Sequence, residues 1–198
     1  MRDTLKPDLR GVETIAYGQG GYFESAQARE HGVSPQLLAH HIRRGRFEHV
    51  RRGVYRIAGY PTDEFDEMRR QWFSVGREIA VLSHESALAA YELSDNIPRA
   101  VHMLVPRRSR GLRKPLGVVI HTRPDEASIP TYRLHGILFT TPARTLADVH
   151  GLIQHDQWDM AYQQALARGL ITKNMVLAEA RNKLCEYMLK SPDRLDES

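Results

Sequence analysis

Six arginines, Arg43, Arg44, Arg46, Arg51, Arg52 and Arg56, fall between His40 and Ala58 against a single acid, Glu48. Permanently charged guanidinium forks at that density suit a phosphate backbone. Each neutralised phosphate releases condensed counterions and steepens the salt dependence of binding by roughly 0.9 log units. A solvated basic surface on a helical hairpin has the same composition, so the elements that carry the arginines must decide between the two readings.

Those elements are punctuated in order. Ser25 stands where it can cap a short helix, and Gly32 can supply the left-handed residue that stops it. Ser34 then caps a second helix that opens on Pro35, where a missing N–H costs nothing. From Pro35 to Arg44 the helical period gathers Leu37, Leu38 and Ile42 on one side and Gln36, Ala39, His40 and Arg43 on the other. His41 falls at the angle between Leu37 and Leu38, which predicts a partly buried, hydrogen-bonded imidazole. Gly45 ends the helix. Residues 47–50 and 54–58 read as two strands joined by Arg51-Arg52-Gly53, with Tyr55 and Ile57 facing the core and Arg56 facing out. This order predicts a winged helix-turn-helix over residues 1–59. Gln36, Ala39, His40 and Arg43 are then expected at base edges, and Arg44, Arg46, Arg51, Arg52 and Arg56 at phosphates.

Composition permits this partner without demanding it. Net charge is only +4 over 198 residues, and 41% hydrophobic content is enough for an ordinary core. No apolar run approaches the roughly 20 residues of a membrane span, and Met1 to Pro7 lacks a signal-peptide core, so a cytoplasmic location is expected. Cys185, the lone cysteine, can form neither an internal disulfide nor a thiol-based zinc site, and is expected to pack within a helix.

Residues 60–190 read as a second, α+β domain, with a polar tail at 191–198. A long helix starting at Thr62 or Asp63 carries Phe65, Met68, Trp72, Val75 and Ile79 at steps of three and four. Residues 79–82 read as a short buried extension, and Ser83 caps a helix reaching Tyr91. Residues 101–105, 118–121 and 137–140 read as strands of a small sheet. Thr141 and Pro142 open a helix with a narrow stripe of Ala143, Leu146, Ala147 and Val149. Helices over 157–168 and 173–189 follow, the second capped by Thr172 and carrying Val176, Leu177, Leu184 and Met188. Between the first two strands lie Arg107, Arg108, Arg110, Arg113 and Lys114, five cations in eight residues with no acid. Such a run is either a solvated loop or a second nucleic-acid contact.

Ser83, His84 and Glu85, with His102 and His121, raise the question of catalysis. Adjacent helical residues point about 100° apart, so His84 and Glu85 cannot easily share an ion, and position 88, where a H-E-x-x-H zinc motif needs histidine, is leucine. Ser83 reads as a cap, and His102 and His121 as outward-facing strand residues. A nuclease reading needs an acid at a strand end and a nearby Glu-x-Lys pair. The first two strands hold no acid, and no lysine follows Asp125 and Glu126 two positions on. No catalytic residue, metal ligand or cofactor is assigned.

Five segments carry a family resemblance: Tyr22-Phe23-Glu24-Ser25-Ala26-Gln27-Ala28, Arg43-Arg44-Gly45, Val50-Arg51-Arg52-Gly53-Val54-Tyr55-Arg56, Ser83-His84-Glu85-Ser86-Ala87-Leu88 and Thr140-Thr141-Pro142-Ala143-Arg144-Thr145-Leu146-Ala147-Asp148. In order and spacing they resemble the AbiEi-type antitoxins of abortive-infection toxin-antitoxin systems. The resemblance implies a winged helix that binds repeats in double-stranded DNA of its own promoter and represses the operon. It further implies a carboxy-terminal domain that opposes a nucleotidyltransferase-like toxin without forming a stable complex with it. Two alternatives stay open, an interaction protein that neutralises a toxin with incidental DNA binding and a solitary regulator without a toxin.

Overall fold

The computed structural model describes residues 6–125 and 127–190, and side chains up to 186. The expected tail at 191–198 and the side chain of Met188 lie outside the described residues. The fold is mixed α+β and divides into two compact units, Met1–Ser74 with His135–Ile137, and Val75–Leu134 with Leu138–Ser198.

The first unit opens with a helix absent from the expected elements, α1 (Leu9–Tyr17), capped by Asp8, whose Oδ1 accepts from the Gly11 amide at 2.9 Å. Strand β1 (Tyr22–Glu24) follows, then α2 (Ser25–Glu30), α3 (Pro35–Arg43), β2 (Phe47–Arg51) and β3 (Val54–Ile57). The three strands form an antiparallel sheet in the order β1-β3-β2. Val12, Ala16, Phe23, Ala28, Val33, Leu38 and Phe47 form one buried cluster, with Leu37, Ile42, Tyr55 and Ile57 packed against it. Phe23 sits at its centre, edge-on to Phe47 at 4.9 Å and stacked on Tyr55 at 5.6 Å. The expected alternation of Tyr55 and Ile57 against Arg56 therefore holds, and Leu37, Leu38 and Ile42 form the buried side of α3.

Caps fall partly where the residues place them. Ser34 accepts from the Leu37 amide at 3.2 Å, Pro35 opens α3, and Gly32 takes φ +70°. Ser25 does not cap α2. Glu24 holds that position in a reciprocal box with Gln27, and the Ser25 amide donates instead to the Gly53 carbonyl at 2.9 Å. A backbone bond thus ties the start of α2 to the turn between β2 and β3. Gly53 needs φ +79° there, which a β-carbon would disfavour.

The unit runs past the expected limit at residue 59 because α4 (Asp66–Val75) closes it. Tyr22 stacks on Phe73 at 5.5 Å, and Arg56, whose side chain is only 12% exposed, pairs with Asp66 at 3.1 Å. Asp63 accepts the Phe65 amide and both ends of the buried Arg69 fork, each at 3.0 Å. Gly20, at φ +66°, lies so close to Arg69 that a β-carbon would collide with the guanidinium. The helix is shorter than its periodicity predicts: Gly76 at φ +121° stops it before Ile79.

The second unit carries β4 (Val81–Leu82), α5 (His84–Ala90), β5 (Val101–Pro106), β6 (Val118–Arg123), β7 (Thr131–Leu134), β8 (Ile137–Thr140), α6 (Pro142–Val149), α7 (His155–Ala167) and α8 (Lys173–Lys190). Its five-stranded sheet runs β6-β5-β4-β8-β7, with β4 antiparallel to β5, and β5-β6 and β4-β8 parallel. Helix α6 is not the narrow-striped helix expected. Every residue from Ala143 to Val149 is buried, including Arg144, Thr145 and Asp148. Nε of Arg144 donates to both Asp148 oxygens (3.0 and 3.1 Å), and its two terminal nitrogens donate to Glu186 of α8 at 2.6 and 2.9 Å. Lys183 adds bonds from Nζ to the Ala147 and Asp148 carbonyls, at 2.9 and 3.0 Å. On α8, Thr172 accepts from Met175 as expected (3.3 Å) and Val176 is buried, but Leu177, Leu184 and Cys185 are exposed. The helix meets α6 through its polar residues, so the expected packing of Cys185 does not occur.

Arg144→Ala is expected to cost about 3 to 5 kcal/mol, because it leaves two carboxylates in a buried site without their cation. Urea unfolding monitored by circular dichroism measures it.

Candidate nucleic-acid interface

The structure sorts the arginines of the amino-terminal window into two groups. Arg43 and Arg44 end α3, and Arg52 occupies the turn after β2. All three are exposed, and none is ion-paired among the described residues. Arg46 is exposed but gives Nε to Glu13 of α1 at 2.8 Å. Arg51 is half-buried and donates to the Ser74 carbonyl. Arg56 is committed to the interior. It bonds the Tyr60 carbonyl at 2.9 Å, the Pro61 carbonyl at 3.2 Å and Asp66, and lies 5.3 Å from the Tyr22 ring centre. The expectation of a phosphate contact at Arg56 is therefore corrected. The strand alternation turns it away from the core, as read, but α4 covers that face.

On α3, Gln36, His40 and Arg43 are exposed at positions i, i+4 and i+7 of one side, and Ala39 between them is half-buried. A small residue there keeps the helix surface low between longer polar ones. His41 is half-buried and edge-on to Phe47 at 6.0 Å. Burial first, and then the Arg46 charge, hold its pKa below the ordinary histidine range. The β2-β3 ladder pairs Phe47 with Ile57 and His49 with Tyr55, then bulges between His49 and Arg51. A bulge adds a residue on one strand and increases local twist. It comes directly before the turn that carries Arg52. In the second unit Arg107, Arg108, Arg110, Arg113 and Lys114 are all exposed, on a 3-10 turn at Arg107–Ser109 and the open chain after it.

The candidate chemical cluster departs most from its sequence reading. His102 and His121 do not face outward. His121 stacks on His84 with ring centres 3.5 Å apart and 10° between planes, and His102 Nδ1 lies 3.1 Å from His121 Nε2. Ser83 stands at the cap position of α5 without capping, since its hydroxyl meets His84 Nδ1 at 2.9 Å. A cavity of about 200 Å³ adjoins them, lined by His84, Leu104, His121, Thr122, Arg144, Asp148, Lys183 and Glu186. Parallel rings in contact aim their nitrogen lone pairs along separate planes. Among the described residues no group of three or more His, Cys, Asp or Glu is placed to hold a metal ion. The Ser83-His84 pair has the elements of a nucleophile and its base, but burial, followed by the charges of His121 and His102, lowers the His84 pKa to about 2. So weak a base does not match hydroxyl activation near neutral pH. The grouping of His84 with His102 and His121 is the one the sequence suggests, but the ring stacking is not legible there, because each ring comes from a different element.

Buried neutral histidine has a consequence for stability. An unfolded His84 titrates near 6.5, so its contribution to folding is full above that pH. It declines on acidification toward pH 2, as only the unfolded chain takes the proton. His102, also lowered by burial, acts in the same direction. Unfolding free energy measured at pH 7.5 and 5.5 is expected to fall by about 1.4 kcal/mol per unit below 6.5 on account of His84, and His84→Gln is expected to reduce the drop.

Comparison with known proteins adds one match. Residues 12–58 fit the family model described as "Transcriptional regulator, AbiEi antitoxin". No curated protein matches the chain, and no helix among the described residues is long and apolar enough to cross a membrane. The match starts inside α1 and ends just past β3, so it covers α2, α3 and the hairpin that bear the free arginines. Over residues 12–58, this chain is similar to the AbiEi-type antitoxin transcriptional regulators.

Proposed function

We propose that the protein is a sequence-specific repressor that binds double-stranded DNA of its own promoter, with α3 in the major groove and the β2-β3 turn on the adjacent backbone. The observation that carries this reading is the set of exposed guanidinium groups without carboxylate partners, Arg43 and Arg44 at the end of α3, which also exposes Gln36 and His40, and Arg52 in the β2-β3 turn. Arg43 is the candidate for a bidentate contact to guanine, and Gln36 can pair in the same way with adenine. Arg44 and Arg52 hold phosphates, and Arg46 and Arg51 contribute with the donors that Glu13 and Ser74 leave available. Arg56 supports the hairpin from inside. No catalytic step, metal or cofactor enters this function.

Gel-shift titration on the upstream promoter tests it. Arg43→Ala is expected to lose about 1 to 3 kcal/mol of discrimination between promoter and scrambled duplex. Arg52→Ala is expected to weaken both equally and flatten the salt slope by about 0.9. Arg56→Ala should lower the melting temperature first. Unchanged binding in the Arg43→Ala, Arg52→Ala double variant would sink the reading.

A second activity, opposition to a nucleotidyltransferase-like toxin without a stable complex, draws its support from the antitoxin description of the matched family. The same double variant separates it from repression. Co-expressed in full length with the neighbouring toxin gene, the variant is expected to protect cells as the parent does. Loss of protection together with loss of DNA binding would mean that repression alone accounts for the phenotype.

A further inference from the structure

Within the second unit, β5 and β6 lie parallel, with Val101 beside Val118 and Pro106 beside Arg123. A parallel pair forces its connection to return along the paired length, about 17 Å for five steps of roughly 3.3 Å. The usual crossover is a helix. Here it is residues 107–117, one 3-10 turn followed by open chain, beside a strand at the edge of the sheet. Arg107, Arg108 and Arg110 share the turn at the start of this segment, where the Arg110 amide donates to the Arg107 carbonyl at 3.1 Å, and Arg113 and Lys114 follow in open chain.

The fold does not require that composition. Gly117 supplies the turn into β6 at φ +76°, and its carbonyl accepts the Val101 amide at 2.7 Å. None of Arg107, Arg108, Arg110, Arg113 and Lys114 is buried or ion-paired among the described residues. Asp125, the acid at the far end of β6, accepts the backbone amide of Arg108 at 2.9 Å. Leu112 and Leu116 are 40% and 98% exposed, so the segment buries neither its charges nor its leucines. Arg108 also acts on Arg123, whose pKa burial first, and then this neighbouring charge, lowers. A row of like charges without internal partners is self-repulsive, and an external polyanion relieves it.

We infer that residues 107–117 form a second, sequence-independent contact to the phosphates of double-stranded DNA, separate from α3 and the β2-β3 turn. The inference rests on the DNA-binding reading above and extends it to the second unit. Five exposed cations on one connection suit a polyanion whose single strand presents a phosphate about every 3.4 Å.

The test uses the full chain on promoter and scrambled duplexes across a salt series. Replacing Arg107, Arg108, Arg110 and Arg113 together by Ser is expected to make the slope of log K against log salt shallower by about 0.9 per lost contact on both duplexes, with the promoter preference and melting temperature unchanged. Replacing the same four by Lys should restore the slope. An unchanged slope in the serine variant overturns the inference. An unchanged slope on DNA, with loss of the parent's binding to poly-glutamate, overturns it in favour of an acidic protein partner. If the parent shows no promoter preference, the reading of α3 fails, and the slope on the scrambled duplex still decides this one.

Discussion

A guanidinium cannot be deprotonated inside a protein, so each arginine must be given acceptors or left to water. How this chain divides its arginines between those two fates organises both units. Arg69 and Arg144 are buried and forked onto carboxylates, Asp63 and the pair Asp148 and Glu186, and half-buried Arg56 gives one nitrogen to Asp66. The side chains of Arg43, Arg44 and Arg52, and those of the basic run from Arg107 to Lys114, form no ion pair among the described residues. The first group holds helices to sheets and to one another. The second is available to a polyanion, and the proposed function depends on that distinction more than on total charge.

The buried forks do geometric work. Arg56 pins the outer face of the β2-β3 hairpin to α4, which is why the first unit extends to Ser74. The Ser25 amide ties the hairpin turn that carries Arg52 to the start of α2 through the Gly53 carbonyl. In the second unit the Arg144 fork joins α6 to α8 through charge, leaving Leu177 and Leu184 of α8 exposed.

The histidine stack shows a different use of burial. Three imidazoles from α5, β5 and β6 pack together, and the desolvation that lowers the pKa of His84 and His102 removes the basicity a catalytic role would need. Proximity to a polar cavity does not by itself make a site reactive. Ring packing and the adjoining ion network account for why these residues lie inside the unit.

Local signals were legible wherever backbone chemistry is local. Ser34, Pro35 and Gly32 mark α3 and its turn, periodicity assigns Leu37, Leu38 and Ile42 to the core, and Gly53 marks the hairpin. The start of α1 is marked in the same way by Asp8, Leu9, Val12 and Ala16. Strand β7 offered no such signal, since three of its four residues are exposed, and two-residue β4 is too short for a period. Which arginines are free could not be read at all, because the neutralisation of Arg56 depends on Asp66 and the carbonyls of Tyr60 and Pro61, which the fold brings to it. The sequence determined the elements and the excess of cations by itself, through caps, turns and periodicity. Only tertiary packing decided which cations are neutralised inside, because ion pairing acts through space between residues that the chain order keeps apart.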